Sequence, residues 1–139
     1  MRMLFGALVV CLLGAGSAEE EAKKLQGTWR VTHAVDDGEE DAARKGLILA
    51  FVGDRILTYE DGETHEVFAF TLQPGEDPKR IDFRVIDKKF KGRIDRGIYR
   101  LDGKKLEICI QVDPKADRPT MFAAKKGSKL HLVTLEKVK

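Results

Sequence analysis

Residues 94–112, IDRGIYRLDGKKLEICIQV, contain two apolar runs of strand length joined by a tight turn. The turn dipeptide Asp102-Gly103 is typical of two-residue hairpin connections, which need a positive φ at their central positions. The stretch therefore predicts a β-hairpin with strands at residues 94–101 and 106–112.

The rest of the chain after residue 26 repeats this alternation of short runs and turns. The other strand-length runs are residues 27–35, 46–52, 56–59, 63–72, 81–85, 120–124 and 129–137. Residues 19–25 favour a helical turn, with acids at the start and lysines near the end. This pattern predicts an all-β domain, a single antiparallel up-and-down β-barrel of about eight or nine strands with a short N-terminal helical turn.

Two features of this barrel follow from the pattern in more detail. Alternation in residues 27–35 puts Trp29, Val31 and Val35 on one face, and the parity of His33 allows it to face the interior as well. Residues 36–45 form the longest polar connection between the predicted strands. Their composition fits either a short helix or lid across one end of the barrel or a solvated loop.

The first eighteen residues have the pattern of a secretory signal peptide. Arg2 supplies a positive charge, residues 3–14 are apolar but too few to span a bilayer, and Gly16-Ser17-Ala18 offers the small residues that signal peptidase recognises. We therefore expect cleavage after Ala18, a secreted or periplasmic bacterial protein, and one domain at residues 19–139. The alternative is an uncleaved N-terminal membrane anchor.

Removal of this leader changes the composition of the chain. The 139 residues have a formal net charge of +2, whereas residues 19–139 hold 24 basic and 23 acidic side chains. A neutral domain is not a generally basic nucleic-acid binder, so no nucleic-acid partner is expected. Cys11 lies in the leader, so Cys109 remains without a partner for an internal disulfide. Its strand-like surroundings predict a buried, inert thiol.

Catalytic and metal-binding patterns are weak in this sequence. Ser128, the one serine after the leader, sits in a turn, and His33, His65 and His131 lie on three predicted strands without ligand spacing. We therefore predict no catalytic residue, no metal site and no cofactor; an enzyme would have to use one of these histidines. The basic stretch 88–93 fits either an anion or phospholipid site or the charged edge of a sheet.

Aromatic side chains are spread one or two to a strand. Those expected to face the barrel interior are Trp29, Phe51, Phe70, Phe83, Tyr99 and Phe122. In a small barrel such side chains either fill the lumen or line a cavity for a ligand. About 38% of the residues after the leader are apolar, so a large cavity would be costly and any binding site is expected to be small.

Several spaced motifs carry a family resemblance. They are Leu25-Gln26-Gly27-Thr28-Trp29, Asp37-Gly38, Gly97-Ile98-Tyr99, Leu101-Asp102-Gly103, Leu106-Glu107-Ile108-Cys109 and Arg118-Pro119-Thr120-Met121-Phe122. In this order, over nearly the whole chain after the leader, they resemble a family of small secreted, lipocalin-like domains of unknown function that is abundant in planctomycetes and related bacteria. The Gly27-Thr28-Trp29 triplet is similar to the Gly-x-Trp that opens the first strand of lipocalins.

The resemblance implies a floor-closing contact and no catalytic residues. In lipocalins this Trp packs against an Arg near the C-terminus, which implies Lys137, or alternatively Arg118, as the cation on Trp29. The expected function is a non-enzymatic barrel that binds a small apolar or amphipathic molecule. The alternative is a structural or protein-interaction module of the cell envelope with a filled core. Neither reading includes a membrane span after the leader is cleaved.

Overall fold

A computed structural model describes residues 18–86, 89 and 92–138. Within these residues a helix at 18–25, α1, precedes nine strands and a turn of 3-10 helix at Ala42–Arg44. The strands are β1 Gly27–Asp36, β2 Glu39–Glu40, β3 Ile48–Val52, β4 Arg55–Glu60, β5 Glu63–Gln73, β6 Arg80–Val85, β7 Ile94–Asp102, β8 Lys105–Gln111 and β9 His131–Lys137. The predicted leader lies almost entirely outside the described residues, as does half of the basic stretch 88–93.

Eight of these strands close into an antiparallel barrel. β1 and β3 to β9 pair with their neighbours in chain order, and β9 pairs back with β1. β2 is an extra strand of two residues that pairs with the last residues of β1. The predicted up-and-down barrel of eight or nine strands with a short N-terminal helix is therefore confirmed.

The helix α1 covers one end of the barrel, which we call the floor; the opposite end is the mouth. The indole Nε1 of Trp29 donates a hydrogen bond of 2.8 Å to the carbonyl of Leu25, one of the last carbonyls of α1. The side-chain amide of Gln26 holds Gly53 in the β3–β4 turn, accepting from its N–H at 2.7 Å and donating to its carbonyl at 2.9 Å. These bonds satisfy backbone groups that a helix end and a turn leave unpaired.

Large side chains fill the floor half of the interior. Trp29, Phe51 and Tyr99 are each at most 1% exposed, and they belong to one continuous apolar core. The rings of Phe51 and Phe70 meet edge to face with centroids 5.3 Å apart, an arrangement that favours aromatic pairs beyond the area they bury. Burial of this layer is the main source of stability for a domain without a disulfide.

A β-bulge in β1 exchanges the inward and outward faces of the residues after Val31 relative to the prediction. The pairing of β1 with β9 shifts register between Val31 and His33, which adds one residue to β1. As a result Ala34, 1% exposed, takes the interior position predicted for Val35. The side chain of His33 is 50% exposed, so the interior placement that parity allowed for it is wrong. A one-residue insertion moves every later side chain to the other face.

The strand predicted at residues 120–124 is also wrong. These residues belong to a long connection between β8 and β9 that packs against the outer face of the barrel. Arg118 anchors the connection there by donating to the Asp82 carboxylate at 2.7 Å and to the Gly97 carbonyl at 2.9 Å. The connection covers the outward side chain of Cys109, whose Sγ lies 3.5 Å from the Ala123 carbonyl. Ala124 is buried by this docking rather than by strand pairing, whereas Met121 remains 57% exposed.

Candidate functional site

A cavity of about 280 Å³ occupies the mouth half of the barrel interior. Its apolar wall includes Leu47, Leu49, Phe68, Phe83, Ile110 and Val133. The polar residues that border it are Arg44, Thr58, Glu66, Arg93, Asp95 and His131. An apolar interior with a few polar groups at its opening is the usual construction of a small-molecule site.

A linked group of charged side chains stands at one side of the mouth. The Nδ1 atom of His131 lies 2.5 Å from Oδ1 of Asp36, at the end of the β1–β9 pair. Arg44 places Nη2 3.7 Å from Asp36 and Nε 3.1 Å from Asp41. The 3-10 turn that carries Arg44 is capped by Asp41, which accepts from the backbone N–H of Ala43 at 3.2 Å. Residues 36–45, predicted as a short helix or lid or as a solvated loop, form the short hairpin strand β2 and one 3-10 turn, and most of them are exposed.

A second charged pair lies on β7 and just before it. Asp95 is 5% exposed and receives two hydrogen bonds from Arg93, of 3.0 Å from Nε and 3.2 Å from Nη2. Burial raises the pKa of the Asp95 carboxyl, and the attraction of Arg93 and His131 offsets this only in part. Asp95 therefore borders the cavity as a carboxyl whose ionised form is destabilised by burial.

Glu66 borders the cavity from β5 and is exposed at the mouth. It shares the inward phase of Phe68 and Phe70 on that strand. Its backbone N–H donates to the Thr58 hydroxyl at 2.9 Å, across the β4–β5 ladder. Its carboxylate forms no ion pair with any residue that the structure describes.

Five of the six aromatic residues predicted to face the barrel interior lie there. Phe83 borders the cavity, whereas Trp29, Phe51, Phe70 and Tyr99 lie in the core. Phe122 belongs to the connection outside the barrel, where the Arg100 guanidinium stands 4.3 Å from its ring centroid. The interior is thus divided between the two alternatives left open by the sequence, filled at the floor and open at the mouth.

The floor brings together the residues that the lipocalin resemblance implied. The Lys137 ammonium lies 5.4 Å from the ring centroid of Trp29 and donates to the Lys24 carbonyl at 3.2 Å. Arg118, the alternative, is engaged with Asp82 outside the barrel. The cation beside the indole is therefore the flexible ammonium of Lys137.

The polar residues at the mouth were missed at the sequence level, although a signal for some of them existed. Glu66 stands in phase with Phe68 and Phe70, and Asp95 stands in phase with Tyr99. A charged residue in the apolar phase of a strand marks a barrel opening or a polar interior group. For Asp36 no such signal existed. The regular alternation of β1 predicts that Asp36 faces outward, and the bulge reverses this.

The three histidines do not converge. His33 contacts Glu40, His65 contacts Glu60 and His131 contacts Asp36, at three separate places. Among the described residues no group of three or more His, Cys, Asp or Glu side chains is placed to hold a metal ion. The thiol of Cys109 is fully buried, and burial raises its pKa, so it does not act as a nucleophile in this state.

Comparison with protein-family models, with curated proteins and with solved structures finds no match for this chain. In the described ranges, 18–86, 89 and 92–138, no helix has the length and apolar character needed to cross a membrane.

Proposed function

We propose that this protein binds a small amphipathic molecule, with the apolar part in the barrel cavity and the polar part at the mouth. The observation that carries the proposal is the cavity itself, about 280 Å³ of apolar-walled space bordered by charged residues. This volume is close to the lower end of the range for ligand pockets, roughly 300 to 1,000 Å³. The ligand is therefore small, with an apolar part that reaches past Phe68 and Phe83.

The proposal is tested by NMR titration of the protein with 1-octanol, a neutral amphiphile. We expect backbone amide shifts that saturate and that cluster at cavity residues such as Ile110 and Val133. The floor residue Trp29 does not border the cavity, so its amide and its fluorescence are expected to change little.

Two variants sharpen this test. Val133→Phe adds volume inside the cavity and should weaken 1-octanol binding by about tenfold or more, because it removes the space for the chain. Val52→Phe is the matched control, since Val52 is 60% exposed and lies away from the cavity. Equal binding by both variants, or shifts confined to the outer surface, would contradict the proposal. The alternative, a structural or protein-interaction module, would then account better for the filled floor.

We also propose that the protein is exported and that residues 1–18 are its signal peptide. Support comes from the sequence pattern and from the resemblance to a secreted family. Expression in a bacterial host followed by mass spectrometry of the periplasmic fraction tests it. A protein that begins at Glu19 is the expected result, and a full-length chain recovered from the membrane fraction would favour the anchor.

A further inference from the structure

Two polar groups at the cavity have no hydrogen-bond partner among the described residues. One is Nε2 of His131, because Nδ1 of this ring is the atom bound to Asp36. The Asp36 carboxylate can only accept, so the proton of this contact lies on Nδ1 of His131. The other is the carboxylate of Glu66, which is an acceptor.

The remaining polar groups at the cavity are already paired. Arg44 is engaged by Asp36 and Asp41, and Arg93 by Asp95. The Thr58 hydroxyl is bound to the backbone of Glu66. The cavity therefore offers a ligand the Glu66 carboxylate, an acceptor whose negative charge no described residue neutralises.

We propose that the ligand is an amphiphile with a donor head group that carries positive charge, such as a primary amine, and that Glu66 binds the ammonium. This inference rests on the proposed function. A carboxylate head would meet the like charge of Glu66, and it would have to displace Asp95, Asp36 or Asp41 to reach an arginine. An ammonium needs only acceptors, and it provides the counter-charge that Glu66 lacks.

The position of Glu66 suits this role. It lies two residues closer to the mouth end of β5 than Phe68, which borders the cavity below it. A head group at Glu66 therefore leaves the alkyl chain against Phe68 and Phe83.

The experiment compares octylamine, 1-octanol and octanoate in NMR titrations at pH 7.5, where a primary amine is protonated. Octylamine should bind about tenfold more tightly than octanoate, the difference that one charge-assisted hydrogen bond makes. Glu66→Gln should weaken octylamine binding by about tenfold and change 1-octanol binding by less than about twofold. Glu63→Gln is the matched control, because Glu63 is exposed on the same strand and does not border the cavity.

The outcomes separate the two proposals. If octanoate binds as tightly as octylamine, or if Glu66→Gln leaves octylamine binding unchanged while 1-octanol still binds, the amine preference is overturned and the binding function stands. If none of the three compounds shifts the cavity amides, the binding function fails. Binding of 1-octanol by Glu66→Gln also shows that the variant is folded.

Discussion

Glu21 and Asp95 are both buried carboxylates, yet their surroundings move their pKa values in opposite directions. Burial of Glu21 acts to raise its pKa, but hydrogen bonds from Lys79, Tyr99 and Lys24 outweigh burial and lower it. The two shortest contacts are 2.7 Å to Lys79 and 3.0 Å to Tyr99. At Asp95 burial prevails and the pKa is raised. One carboxylate therefore stabilises the fold when ionised, and the other does so when protonated.

For Glu21 we predict that Glu21→Gln lowers the free energy of unfolding at pH 7 by about 2 kcal/mol, since charge-assisted hydrogen bonds are lost. A lowered folded-state pKa gives stability that is present above the ordinary value of 4.5 and is lost as the pH falls through the folded value. The difference between wild type and variant should therefore shrink in acid. Urea denaturation from pH 7 to pH 3 measures it, and a difference independent of pH would contradict the assignment.

For Asp95 the sign is reversed. A raised folded-state pKa gives stability that is present below the ordinary value of 3.8 and is lost as the pH rises through the folded value. Asp95→Asn keeps the size of the side chain and removes the buried charge, so at pH 7 it should leave the free energy of unfolding within about 0.5 kcal/mol or raise it. The same denaturation series provides the measurement. A loss as large as that of Glu21→Gln would show that the Arg93 pair outweighs burial.

At the scale of elements, the β1–β2 turn packs against the β8–β9 connection, whereas the β4–β5 turn, with similar φ angles, has open space around its glycine. Gly38 and Gly62 follow Asp37 and Asp61, and both glycines have positive φ, +83° and +81°. A Cβ on Gly38 would lie 2.6 Å from the backbone nitrogen of Lys126, whereas a Cβ on Gly62 would meet nothing within 4 Å. The Asp37 carboxylate also accepts from the Lys129 N–H at 2.9 Å, which ties this turn to the β8–β9 connection.

We therefore predict that Gly38→Ala destabilises the protein more than Gly62→Ala. Each substitution puts Ala in a left-handed conformation, at a cost of about 1 kcal/mol or more. Gly38→Ala adds a clash with backbone, which should cost at least about 1 kcal/mol beyond that. Thermal and urea unfolding of both variants measure the difference. Equal losses would mean that the connection moves away from the turn without cost.

Opening of the β8–β9 connection can be measured by the reactivity of the Cys109 thiol, which the connection covers. In a Cys11→Ser background, Cys109 should react with a thiol reagent only when the connection opens, because its side chain is fully buried. Arg118→Ala removes the bonds to Asp82 and Gly97 and should raise the reaction rate by about tenfold. Arg84→Ala, an exposed arginine on β6, is the control. Equal rates in both variants would show that Arg118 does not hold the connection.

The limits of sequence reasoning lie in the elements that depart from regular alternation. Strands from β3 to β8 follow their apolar pattern, and the predicted β7–β8 hairpin is present. Its two-residue turn is Gly103-Lys104, one residue later than predicted, because Asp102 pairs with Lys105. The bulge before His33 leaves no composition signal, because a register shift is set by pairing with β9. Residues 120–124 form an apolar run of strand length, but they lie against the outside of the barrel without pairing, and Met121 is exposed. An apolar run of this length does not show whether strand pairing or docking of a loop covers it.

For the whole molecule, the division between a filled floor and an open mouth predicts uneven stability. Amides near Trp29, Phe51 and Leu106 lie among side chains at most 1% exposed, so they should exchange with solvent only by global unfolding. Amides near Val133 and Ile110 border empty space and should exchange through smaller openings. Native-state hydrogen exchange measures both groups in one experiment.

Repeating the hydrogen-exchange measurement with octylamine bound tests whether the smaller openings involve the cavity. A molecule that fills the cavity binds neither the opened mouth nor the unfolded chain, so octylamine should slow exchange near Val133 and Ile110 by the same factor as at the floor. The difference in protection between the two groups of amides should therefore be the same with and without octylamine. Slower exchange at the floor with no change near Val133 and Ile110 would contradict this expectation. The smaller openings that expose these two amides would then leave the cavity able to bind the ligand.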